Sequence, residues 1–259
     1  MKLSVSNSQR IYWALFGGSI AIWVILFYNP GNLLKMEHCN FANYCPSSGS
    51  LQLLLALNPF SSRILAWGLM VLAMMLPKLI VPIEFIYQQS LKRNRSTNAL
   101  LFVLGYLFIW MIVGVFMVGV ILFCNLYFSM LYSPAIFCFI GAVIWQFSPF
   151  KQHFLNMGHQ HPILATFGLA AQRDALFFGL KHGVWCVGSG WALMLFPMLM
   201  PFHHHLAMLV VTLLMVSEHL ESPAVPRWSI SLRLKLIKIV VGQARIKWQK
   251  MKLIVNNVR

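Results

Sequence analysis

Polarity along this chain changes in long blocks rather than every second or fourth residue. Six apolar runs of bilayer length stand at Ile11 to Tyr28, Ile64 to Tyr87, Ala99 to Phe123, Phe128 to Phe147, Ala175 to Met200 and Leu206 to Glu221. They predict an all-α polytopic membrane bundle of about six spans over residues 1–222, followed by a separate segment over 223–259. Basic residues fall in alternate connections: Lys2 and Arg10 before the first run, Lys92, Arg93 and Arg95 after the second, Lys151 after the fourth, and the tail after the sixth. By the positive-inside bias both termini are expected in the cytoplasm of a bacterium, with the bundle in its inner membrane. The first run continues into Tyr28-Asn29-Pro30-Gly31 with no small-x-small cleavage site, so it is expected to stay as a signal anchor.

The tail carries Arg227, Arg233, Lys235, Lys238, Arg245, Lys247, Lys250, Lys252 and Arg259. Apolar and polar residues alternate over Ile230 to Leu236 and Arg245 to Leu253, which predicts a β-hairpin turning near Gly242-Gln243. Two strands alone are marginal in water; a flexible polybasic tail is the alternative. Either form suits anionic lipid headgroups.

Composition narrows the class. With 59% hydrophobic and 10% charged residues and a mean hydropathy of +0.72, the chain lies outside the range of soluble domains. The net charge of +15 resides in short flanks and the tail, so nucleic acid is not the expected partner. Five acidic residues, with no GxSxG, Walker, HExxH or dinucleotide motif, leave little for acid–base catalysis. The chain is expected not to be an enzyme. An accessory subunit bound to other integral membrane subunits is the leading reading. The alternatives are copper or zinc handling, and a membrane enzyme or transporter using intramembrane Lys78, Glu84 and Glu218.

The densest candidate chemistry lies in Gly179 to Met194. His182 and Cys186 are one helical turn apart and share a face, while Gly179 and Gly183 form a small-xxx-small step for a close helix contact. The segment is either a metal site or a packing seam. Met194 lies about 12 Å beyond Cys186 at 1.5 Å per residue, too far to join it. A third ligand would come from another helix, with Met74 the leading candidate, and the metal would be copper or zinc. Lys78 and Glu218, at similar depth in the second and sixth runs, are expected to form an intramembrane ion pair. His38, Cys39 and Cys45 in the first external loop read as a disulfide or idle thiols rather than a metal site. His203, His204 and His205 read as interfacial polar residues.

Several segments resemble, in order, a bacterial family of unknown function described as predicted metal-binding integral membrane proteins. They are Trp67 to Pro77, Gly105-Tyr106-Leu107 with Trp110, Gln146 to Lys151, and Gly179 to Met194. The resemblance spans about residues 60–222 and implies a compact helix bundle with a cysteine-based metal site. The chain departs from the family pattern at its cysteines. Phe154 and Gly158 stand where the family has one pair, Ser189 and Gly190 stand where it has another, and Cys186 alone matches.

Overall fold

Prolines decide where the second apolar run bends. The computed structural model describes residues 5–28, 60–127, 133–200, 203–229 and 235–257. Within them the run forms α2 (Phe60–Met75), a 3-10 turn (Leu76–Leu79) and α3 (Ile80–Gln89). Pro77 has no N–H to give the carbonyl four residues back, so the α-helical ladder gives way to the tighter 3-10 turn. That carbonyl belongs to Ala73, and the hydroxyl of Ser19 donates to it at 2.6 Å. The donor comes from α1 (Val5–Tyr28), which packs along α2 and the turn. A buried backbone acceptor freed by proline is thereby satisfied by a neighbouring helix, as an apolar surrounding requires.

The remaining elements are α4 (Arg95–Tyr127), α5 (Ser133–Phe147), α6 (Pro149–Gly158), α7 (Gly168–Leu199), α8 (His204–His219) and α9 (Lys235–Asn257). No strand occurs among the described residues. The short α6 starts on a local signal: Ser148 is extended at its N-cap, its Oγ accepts the Lys151 N–H at 3.2 Å, and Pro149 opens the first turn. Helix α7 is the centre of the bundle, with α4, α5, α6 and α8 packed around it. Large apolar side chains face outward, among them Trp13 on α1, Phe116 on α4 and Phe137 on α5.

Among the described residues four helical stretches are long and apolar enough to cross a membrane: Ile11–Tyr28, Arg63–Gln89, Arg95–Ile121 and Gly168–Leu199. The fourth and sixth apolar runs form helices of 15 and 16 residues. At 1.5 Å per residue these reach about 24 Å, short of a hydrocarbon core of about 30 Å. Of the six expected spans, four meet the length requirement among the described residues; residues 128–132 of the fourth run lie outside them. The loop holding His38, Cys39 and Cys45 lies outside the described residues.

The tail corrects the hairpin expectation. From Lys235 to Asn257 it is one helix running through Gly242. Two periods coexist in its sequence. Alternation is real around Ile246 and Trp248, but Ile237, Val240, Val241, Ala244, Trp248 and Met251 also recur every three or four residues, while Lys238, Arg245 and Lys252 repeat every seven. A helix satisfies its own backbone, whereas an isolated hairpin leaves two open edges, so the helical period wins. The start of α9 is tied to the bundle where the Leu236 N–H donates to Ser217 Oγ at 3.0 Å.

Candidate metal centre

The α4–α7 seam fixes the geometry of the centre. A Cβ on Gly179 would collide with the Phe102 carbonyl, and one on Gly183 would sit 3.0 Å from Ile109 Cβ. The expected close helix contact at these glycines is therefore made inside the chain, against α4. On the α4 side, a Cβ on Gly105 would lie 2.7 Å from the Leu176 carbonyl oxygen. With both backbones this close, the next residue of α4, Tyr106, reaches across to α7.

What it reaches is Cys186. The Tyr106 hydroxyl donates to Cys186 Sγ at 3.2 Å, and Lys78 Nζ donates to the same sulfur at 3.3 Å. The thiol in turn points at Met75, with Sγ and Sδ 3.9 Å apart. Cys186, Lys78, Tyr106 and Met75 are all buried. The proline-induced turn delivers two of these partners, since Met75 ends α2 and Lys78 lies within the 3-10 turn. One turn from Cys186, His182 is enclosed by the rings of Phe102, Tyr106 and Phe178 at 5.8, 6.0 and 6.0 Å and of His219 at 6.3 Å.

Two sequence expectations change here. The thioether that reaches Cys186 is that of Met75, not of Met74; Met74 is equally buried, but neighbouring helical side chains point about 100° apart. The expected Lys78–Glu218 pair is replaced by Lys151–Glu218, with Nζ 2.8 Å from Oε1. Gln146 joins this pair, donating to Glu218 and accepting from Lys151. The reason lies in α6, whose Ser148 cap turns Lys151 inward to 0% exposure, while the proline turn aims Lys78 at α7. Nothing in the apolar pattern marked Lys151 as buried. Its place in the ordered Gln146 to Lys151 motif was the available signal.

The other candidates stay apart. Glu84 accepts from the Tyr12 hydroxyl at 3.3 Å, and Asp174 accepts from the Ala165 N–H at 3.0 Å. His204 Nδ1 lies 2.7 Å from the Pro197 carbonyl, His205 packs on Phe27, and His203 adopts a left-handed backbone at φ 61°, so the three do not converge on one point. Phe154, at a family cysteine position, sets its ring against Gly188. Outside the helices, His161 stacks on Phe85 at 4.6 Å; burial, then the neighbouring His159, holds its imidazole below the ordinary value.

Chemically, the centre is soft and poor in ligands. Its two sulfurs at 3.9 Å lie within the ~4.6 Å that two metal–sulfur bonds of about 2.3 Å permit. No group of three or more His, Cys, Asp or Glu that could hold a metal occurs among the described residues. A tetrahedral zinc site needs four such ligands, whereas a thiolate–thioether pair suits low-coordinate Cu(I).

Residues 64–239 match a family model described as PpoB2, copper chaperone. That description favours the copper alternative and lends nothing to the accessory-subunit reading. No curated protein and no solved structure matches the chain.

Proposed function

The chain belongs to the PpoB2 copper chaperone family, and on that premise we propose that it carries Cu(I) between the sulfurs of Cys186 and Met75. The observation behind this reading is the buried contact in which the Cys186 thiol points at the Met75 thioether at 3.9 Å. Cu(I) takes the place of the thiol proton: a sulfur–copper bond forms to Cys186, Met75 donates a lone pair from the other side, and one proton is released. No electron is transferred. A buried thiolate needs a compensating charge, and Lys78 with Tyr106 supplies donors to that sulfur when the ion is absent. His182, one turn away, is the imidazole within reach as a third ligand.

The protein acts as a carrier without catalysis of its own, multi-pass in a bacterial inner membrane with both termini cytoplasmic. It passes its ion to a copper-requiring membrane partner. The basic face of α9, with Lys238 and Arg245 two turns apart, rests on anionic headgroups while Ile237, Val240 and Trp248 dip toward the acyl chains. X-ray absorption on Cu(I)-loaded protein tests the ligand set, with sulfur neighbours expected around copper. Met75→Leu should remove one sulfur and weaken retention about tenfold or more, and Met74→Leu should do neither. Equal losses in the two variants would reject Met75 as a ligand.

A further inference from the structure

Between the sulfur pair and the end of the bundle formed by α6 stand four histidines of decreasing exposure. His161 is exposed, His159 and His219 are half-buried, and His182 is buried. They come from the α6–α7 connection, the end of α6, the end of α8 and the middle of α7. Their rings nevertheless form a continuous series. His159 lies 5.4 Å from His219, His219 lies 6.3 Å from His182, and His182 lies 6.0 Å from Tyr106, whose hydroxyl touches Cys186. His161 joins the series from the side through Phe178.

Among the described residues no hydrogen bond engages a ring nitrogen of His182 or His219, so these nitrogens are not committed to holding the helices together. His159 differs, because its ring nitrogens face the carbonyl oxygens of Leu155 and His219 at 2.8 and 3.1 Å. It positions the end of α8 rather than presenting a free nitrogen. With no three ligands converging, the series can touch a soft ion but not trap it.

We infer that Cu(I) enters and leaves the Cys186–Met75 pair by way of His219 and His182, with His161 at the mouth of the route. The inference rests on the copper reading above and adds a path to it.

The full-length protein in detergent is mixed with a Cu(I)–bicinchoninate complex, and both the rate of uptake and the final copper per chain are recorded. His219→Phe keeps a ring but removes the ligand, and uptake should slow about tenfold with the final copper unchanged. His219→Met restores a soft ligand without an aromatic ring and should recover most of the rate. His161→Ala, at an exposed position, should slow uptake in a chain that still folds and inserts. Wild-type loading with an unchanged rate in His219→Phe, or equally slow loading in the Phe and Met variants, overturns the route and leaves the sulfur site standing. A wild type that takes up no copper overturns the copper reading and the route together.

Discussion

Among the described residues two lysines are buried, and they are buried differently. Lys151 is fully enclosed and meets a carboxylate and an amide: Glu218 at 2.8 Å, with Gln146 bonded to both. Lys78, 5% exposed, meets the sulfur of Cys186 at 3.3 Å. The first cation is neutralised and hydrogen-bonded in place, which ties α6 and the end of α5 to α8. The second meets a sulfur rather than a carboxylate, and exchange of the thiol proton for Cu(I) would leave the charge at that sulfur unchanged. One end of the bundle is therefore built to stay as it is, and the centre, on the copper reading proposed above, exchanges a proton for a soft cation.

The largest expected effect comes from breaking the first arrangement. Lys151→Met leaves Glu218 buried without its cation and should destabilise the protein by about 3–5 kcal/mol, read from denaturant unfolding in detergent. Glu218→Met in the same chain should recover most of that loss, because an apolar pair carries no uncompensated charge. If the double variant is no better than the single one, the pair does more than balance itself.

Next in size is the seam that holds both regions to α7. Gly179→Ala would stabilise an ordinary helix interior by about 1 kcal/mol, yet here the added Cβ meets the Phe102 carbonyl. A net loss of about 1–3 kcal/mol is expected, with weaker copper retention as Tyr106 moves away from Cys186. A neutral or stabilised variant would show that α4 yields easily.

Lys78→Met should separate the two lysines most sharply. With no carboxylate left behind, and Cys186 able to persist as a small apolar thiol, the stability loss should stay under about 1.5 kcal/mol, while copper retention falls. A loss as large as that of Lys151→Met would place Lys78 in the framework instead.

The smallest effect belongs to His161. Its imidazole is held below the ordinary value of 6.5, so the folded state favours the neutral ring. The stacking contribution is present above that ordinary value and declines as pH falls below it, since the unfolded chain then binds the extra proton. The unfolding midpoint of wild type should drop slightly more than that of His161→Gln between about pH 7 and pH 5. Parallel curves would remove His161 from the pH response.

How much of this the sequence discloses depends on the range of the interaction. The apolar runs, the break at Pro77, the shared face of His182 and Cys186 and the tight step at Gly179 and Gly183 are local, and all are readable from spacing. The partners of those residues are set by how helices rotate against one another, which spacing does not encode. Adjacent positions such as Met74 and Met75 are therefore indistinguishable until α2 is docked on α7, and similar depth was a weak guide to pairing Lys78 with Glu218. In the tail, two periods were written over the same residues, and the alternation was the one that did not decide the fold. His219 went unnoticed beside Glu218 because a lone histidine at a helix end carries no pattern.

The most direct test is copper analysis of purified protein loaded under reducing conditions, wild type beside Cys186→Ser. Wild type should retain about one Cu(I) per chain and the variant almost none, since a hydroxyl is a poor ligand for a soft ion. Equal copper in both, or none in either, would contradict a carrier site at Cys186 and leave that residue as a core thiol.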